Sequence, residues 1–277
     1  MQDAQPSRTA LAAAMYRAAH QRLEQGRIFR DELALPIIGA DAQAHLDAWA
    51  ERKGRGMRIF IAARSRFAGD KLAEAVAAGT RQVVIVGAGL DTTALRNHNP
   101  DLRCFEVDHP ATQAWKRERI AEAALAIPQT LTFAPVDFER ETLAGGLAKA
   151  GFDAMAPAFF IWLGVVPYLT EGAIFATLGF VATVPSAGIV FDYANPAEQY
   201  EGELRVFHER RAAGAAAIGE PWLSFFDSDD LAMRLRDLGA LVIEDMGPQG
   251  LRDWLGGPSD TPAPRHGGHI LYANWPA

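Results

Sequence analysis

Asp91 and Asp108 are the carboxylates best placed to do chemistry, because each follows a run that reads as buried strand. The first run is Val83-Val84-Ile85-Val86-Gly87-Ala88-Gly89-Leu90-Asp91-Thr92. Its four apolar, mostly β-branched residues have the pattern of a strand covered on both faces. Gly87 and Gly89 then permit a tight turn and a close backbone approach to a ligand. A strand, a Gly-x-Gly turn and an expected helix over Thr92–Asn97 make a nucleotide-binding crevice. Roughly 20 residues beyond Gly89 lies a second apolar run ending in acid, Leu102-Arg103-Cys104-Phe105-Glu106-Val107-Asp108. At that spacing a carboxylate reaches ribose hydroxyls, and either Glu106 or Asp108 can be the one that does.

The turn also says what the ligand is not. Dinucleotide sites carry a third glycine where this chain has Thr92. Asp91 sits where a pyrophosphate would lie, and its charge opposes phosphate. A nucleoside carrying a positive group fits better, and S-adenosylmethionine meets that description. NAD(P)-dependent oxidation is correspondingly disfavoured. Asp91 can equally serve as an acid in the first turn of a helix.

These residues need a parallel sheet behind them. From Arg81 the sequence alternates strand and helix. Strands are expected at 82–86, 102–107, 131–134, 158–163, 189–193, 241–245 and 269–273. Helices are expected at 92–97, 111–126, 143–150, 171–183 and 197–217. A further helix runs to Leu238, with Ser228 as its cap. Thr170 is the expected N-cap of the helix that Glu171 opens. The seven strands make an α/β fold with a mostly parallel sheet. Residues 9–25, 41–50 and 57–77 read as helices, so residues 1–80 form an N-terminal helical cover. Residues 81–277 form the core, with a helical insertion at 196–220.

Bulk properties narrow the partners. The 277 residues are 49% hydrophobic and 22% charged, with a formal net charge of −7. That balance suits a soluble globular protein and argues against nucleic acid as partner, despite the local run of Arg52, Lys53, Arg55, Arg58, Arg64 and Arg66. No apolar run is long enough for a membrane span, and no signal-peptide order is seen, so the expected location is cytoplasmic. The single cysteine, Cys104, reads as packing. His266 and His269 lack a nearby third ligand, so no metal is expected.

The chain resembles the leucine carboxyl methyltransferase family, and more closely its bacterial branch of S-adenosylmethionine-dependent methyltransferases. The resemblance rests on Gly87-Ala88-Gly89-Leu90-Asp91-Thr92-Thr93, Phe105-Glu106-Val107-Asp108-His109-Pro110 and Trp162-Leu163-Gly164-Val165-Val166-Pro167-Tyr168-Leu169. Arg17-Ala18-Ala19-His20, Val190-Phe191-Asp192-Tyr193 and Gly219-Glu220-Pro221-Trp222 extend it over nearly the whole chain. It implies a class I, Rossmann-like methyltransferase fold using S-adenosyl-L-methionine. It also implies roles: Gly87 under the methionine part, Arg64 on its carboxylate, Asp108 on the ribose, and Asp137 with Phe138 at the adenine, with Gly89 and Asp91 of the turn as further cofactor-binding candidates. Eukaryotic members carry a glutamate where this chain has Leu163, which weakens any inference to a protein-phosphatase C-terminus as acceptor.

The expected reaction is O-methylation of a carboxyl or hydroxyl group on a small-molecule or peptidic acceptor. An S-adenosylmethionine-binding protein without turnover is the alternative. Tyr168, His20 and Tyr193 are the candidate catalytic side chains. Tyr168 either orients an acceptor oxygen or packs. Arg17 and His20 share a helix face, where they either meet an acidic acceptor or form a surface pair.

Overall fold

A computed structural model describes residues 7–138, 140–217, 219–257 and 264–277. It has the expected α/β architecture. Its strands β1 (Gln82–Val86), β2 (Arg103–Asp108), β3 (Leu131–Pro135), β4 (Ala158–Trp162), β5 (Gly188–Ala194), β6 (Val242–Met246) and β7 (Gly268–Asn274) form a seven-stranded, mostly parallel sheet in the order β3-β2-β1-β4-β5-β7-β6. The chain divides into two compact units, Asp3–Asp153 and Ala154–Ala277.

The first unit opens with helix α1 (Arg8–Leu23), capped by Ser7, whose hydroxyl accepts from the Ala10 amide. Three short helices follow, α2 (Ala34–Ile38), α3 (Ala40–Ala44) and α4 (Leu46–Lys53), and then the long α5 (Arg55–Ala77). Strand β1 (Gln82–Val86) is buried at every position, and each fully buried Val or Ile contributes about 1.5–3 kcal/mol. It pairs in parallel with β2 (Arg103–Asp108), which pairs in parallel with β3 (Leu131–Pro135). Helix α6 (Pro110–Glu122) starts immediately after β2, with His109 as N-cap and Pro110 in its first turn, where the missing amide costs nothing. Helix α7 (Leu143–Lys149) follows β3.

The expected helix at Thr92–Asn97 does not form; the segment is a series of turns. Its side chains bond the backbone instead. Asn97 Nδ2 donates to the carbonyls of Asn99 and Leu102 and to Thr130 Oγ1, and the Asn99 amide donates back to Asn97 Oδ1. Short polar side chains that bond locally in this way compete with helix formation. Two helices absent from the expectation, α2 and a later one over Pro248–Trp254, are too short to show a period. Residues 41–50, expected as one helix, are split at His45 between α3 and α4.

The second unit holds β4 (Ala158–Trp162), α8 (Glu171–Ala182) and β5 (Gly188–Ala194), with β4 and β5 parallel. Thr170 caps α8 as expected, accepting from the Ala173 amide. Helix α9 (Gly202–Ala217) occupies most of the expected insertion. Helix α10 (Ser228–Asp237) is capped by Asp227, not Ser228; the carboxylate accepts from the amides of Asp229 and Asp230. Strand β6 (Val242–Met246), helix α11 (Pro248–Trp254) and strand β7 (Gly268–Asn274) complete the unit. β7 runs antiparallel to both β5 and β6. Among the described residues no helix is long and apolar enough to cross a membrane.

Candidate functional site

The carboxyl ends of β1, β2 and β3 lie side by side, since Val86 pairs with Val107 and Asp108 with Pro135. The residues that follow those strands are therefore neighbours: the Gly87–Gly89 turn, Asp108 itself and, beyond Val136, Asp137 and Phe138. This edge is where open parallel sheets bind their ligands.

The turn is fastened to β2. The amides of Gly87 and Ala88 both donate to the Val107 carbonyl, at 2.8 and 3.1 Å. The Gly89 amide donates to Asp108 Oδ2 at 2.6 Å, and the His109 amide to Oδ1 at 2.7 Å. Gly87 and Gly89 have φ of 64° and 46°, in the left-handed region where a side chain is strained. Helix α1 presses on the turn from outside: a Cβ at Gly89 would lie 2.9 Å from the Ala10 Cβ. Gly89→Ala is therefore expected to cost about 1–3 kcal/mol through strain and overpacking. A denaturant midpoint equal to that of the wild type would show that α1 does not constrain the turn.

Two buried networks hold the turn from below. In one, Arg17 of α1 donates to the Leu90 carbonyl at 2.5 Å and to Asp31 at 3.4 Å. Asp31, 1% exposed, also accepts from the Thr92 hydroxyl at 2.7 Å and lies 3.5 Å from the Arg96 guanidinium. In the other, Lys116 of α6 donates to the Asp91 carbonyl at 2.6 Å and pairs with Glu106 at 2.6 Å. Both side chains of that ion pair are essentially inaccessible, at 1% and 0%. Sequence reasoning did not single out Asp31 or Lys116. Lys116 sat in a charged run, yet it lies in register with Thr112 and Ile120, four residues to either side on the buried face of α6.

Electrostatics separate the acids. Burial drives the Asp91 carboxyl up, but Arg17, Lys116 and the bonds from Thr93 more than offset it, leaving Asp91 below its ordinary value. It is a fixed negative charge beside the turn. Burial raises the Asp108 carboxyl, with the Gly89 and His109 amides opposing. Glu106 is wholly enclosed and committed to Lys116, whereas Asp108 is only half-buried, at the strand's edge.

The remaining expected residues fall as follows. Arg64 lies on the buried face of α5 with Ile61, Ala62, Ala63 and Phe67. Asp137 is half-buried, 3.4 Å from Arg140, and Phe138 is exposed. His20 is fully buried; its Nε2 faces the amides of Ile28 and Phe29, and Nδ1 faces Glu24 at 3.3 Å. Glu24 in turn accepts two 2.7 Å bonds from Arg58. Burial lowers the imidazole's pKa, so it stays neutral and closes the 24–29 turn. Arg17 and His20 are thus interior side chains, not a surface pair.

In the second unit, Tyr168 ends a 3₁₀ turn (Val166–Tyr168) after β4 and is half-buried. Tyr193 is buried. Its hydroxyl donates to Asp245, lies 3.0 Å from Ser228 Oγ and faces His269, whose ring stacks on it at 4.8 Å. Burial and the Asp245 charge push the phenol's pKa upward. His269 is itself shared between Asp245 and Asn195, at 2.8 and 2.9 Å. This network accounts for Tyr193 and His269 as the tie between β5, β6 and β7. Among the described residues no cluster of three or more His, Cys, Asp or Glu side chains has a metal-site arrangement.

Comparison with known proteins places the chain. YktD of Bacillus subtilis, provisionally named an S-adenosyl-L-methionine-dependent methyltransferase, is 35% identical over 69% of this chain and 64% of its own length. A Frankia alni protein with the same provisional description, FRAAL3718, is 33% identical over 80% of this chain and 78% of its own. The chain thus spans just under two thirds of the Bacillus relative. A solved structure from Thermobifida fusca, provisionally described as a methyltransferase, shares the fold, with a TM-score of 0.59 at 15% identity over 100% of this chain and 97% of that one. The leucine carboxyl methyltransferase family model matches residues 10–182. The chain belongs to the leucine carboxyl methyltransferase family.

Proposed function

We propose that the protein is an S-adenosyl-L-methionine-dependent methyltransferase that methylates a carboxyl or hydroxyl oxygen of a small-molecule or peptidic acceptor. The observation that carries the reading is the anionic turn. Asp91 is held ionised beside Gly87 and Gly89, with Asp108 at the adjoining strand edge. Such a crevice repels pyrophosphate and suits a cationic nucleoside, so the residues present fit this donor.

When bound, the donor supplies a methyl group already activated on sulfur. The protein's part is positioning and exclusion of water. We assign Asp108 to the two ribose hydroxyls, because Glu106 is enclosed with Lys116. The Gly87 amide is spent on Val107, so its carbonyl is the group assigned to an ammonium. Arg64 is assigned to the donor carboxylate, a task suited to a guanidinium fork. Asp137 and Phe138, next along the same edge, are assigned to the adenine. Arg17 and His20 hold the turn and its cover. Tyr168, from its place after β4, remains the candidate for orienting the acceptor oxygen. A carboxylate acceptor is ionised at neutral pH and needs no base; a hydroxyl acceptor does.

Calorimetric titration with S-adenosylhomocysteine and with NAD tests the donor site. The expected result is binding of the first and none of the second; the reverse would overturn the reading. Mass spectrometry of an extract treated with labelled donor then tests turnover. Donor binding without any labelled product would make the protein a binding module.

A further inference from the structure

His208 of α9 is 7% exposed, and neither of its ring nitrogens has a hydrogen-bond partner. The buried Nε1 of Trp222 is unsatisfied as well. Buried polar atoms are almost always paired, so three orphans in one cluster ask for a ligand. The surroundings say what kind. Tyr200 lies against the imidazole at 4.5 Å between centroids and 31° between planes. Trp222 and Phe225 flank it at 5.5 and 5.3 Å. The Arg211 guanidinium lies over the Trp222 ring at 5.0 Å. The segment bearing Trp222 is itself fixed, since the amides of Leu223 and Ser224 donate to the Pro167 carbonyl at 2.6 and 3.3 Å. Aromatic faces supply stacking area, while the indole and imidazole N–H groups and the nearby guanidinium favour an oxygen anion.

We propose that Tyr200, His208, Trp222 and Phe225 form a binding site for an aromatic carboxylate, its ring against the half-exposed Trp222 and Phe225 and its oxygens on the His208 and Trp222 N–H groups. Burial and then Arg211 keep the free imidazole neutral, opposed by Glu209 and Glu198; Tyr200 is the other titratable group against it. A carboxylate arriving at His208 favours the imidazolium, so ligand and proton bind together.

The test uses the full chain and 1-naphthoate, without methyl donor, so it stands or falls apart from the methyl-transfer reading. Calorimetry and tryptophan fluorescence are expected to show naphthoate binding. 1-Naphthalenemethanol and cyclohexanecarboxylate lack one half of the required chemistry, and each should bind about tenfold more weakly or less. Histidine NMR of the unaltered protein should show one imidazole titrating at higher pH with naphthoate present. His208→Phe and Trp222→Phe keep an aromatic ring in place and should each weaken binding about tenfold. Absence of naphthoate binding, no histidine responding to it, or wild-type affinity in both variants would overturn the proposal.

Discussion

Lys116→Met is expected to destabilise the protein by about 3–5 kcal/mol at pH 8, the cost of leaving one partner of a buried ion pair uncompensated. The ammonium does two jobs, since it neutralises Glu106 and holds the Asp91 carbonyl. Methionine matches much of its length and supplies neither. Burial already pushes the Glu106 carboxyl up to about 7, with Lys116 restraining it. A carboxyl raised in the folded state costs stability as pH climbs from its unfolded value through its folded one. Without the ammonium it rises further and takes a proton in mild acid, so the loss should be smaller near about pH 6 than near about pH 8. Denaturant unfolding at the two pH values measures this. Glu106→Gln combined with Lys116→Met should recover much of the loss, because no charge is then stranded. A single variant within 1 kcal/mol of wild type, or a double variant no better than the single, would refute the ion pair's role.

Asp108→Asn should lower affinity for S-adenosylhomocysteine by about 10- to 100-fold, the worth of one or two charge-assisted hydrogen bonds. Both carboxylate oxygens already accept backbone amides, from Gly89 and His109. An amide side chain must turn its NH₂ toward one of them, so the turn loses its shape as well as its charge. Because burial raises the Asp108 carboxyl, affinity in the wild type should fall in mild acid, as protonation removes the acceptor. Titration calorimetry across that range reads both effects. Affinity within threefold of wild type in a folded Asp108→Asn protein would move the ribose contact to another group.

Much of the sheet could be read because its strands announce themselves locally. The β-branched run of β1 has the expected bounds, Gln82–Val86, and Thr170 and Glu171 mark the start of α8. Thr92–Asn97 misled because small and apolar residues at Ala94 and Leu95 imitate a helix start. What decides the segment is Asn97 reaching Thr130, a partner far along the chain. The same division runs through the site. Gly87, Gly89 and Asp108 sit inside a contiguous pattern, so their proximity follows from two strands lying side by side. Asp31 and Lys116 look like ordinary surface charges in Arg30-Asp31-Glu32 and Lys116-Arg117-Glu118-Arg119, and only the fold reveals that both are enclosed. His20 and Tyr193 were legible as polar groups in special places, but their hydrogen-bond partners were not.

The segment after Gly89 carries no helical dipole, so the edge formed by the Gly87–Gly89 turn and Asp108 takes its rigidity from elsewhere. Ala10, Arg17 and Asp31 supply it, three positions in the leading tenth or so of the sequence. That stretch is a foundation stone of the crevice, not a detachable roof. A chimera that swapped it for the equivalent piece of a relative would therefore change the proposed grip on the donor along with any change in the proposed acceptor.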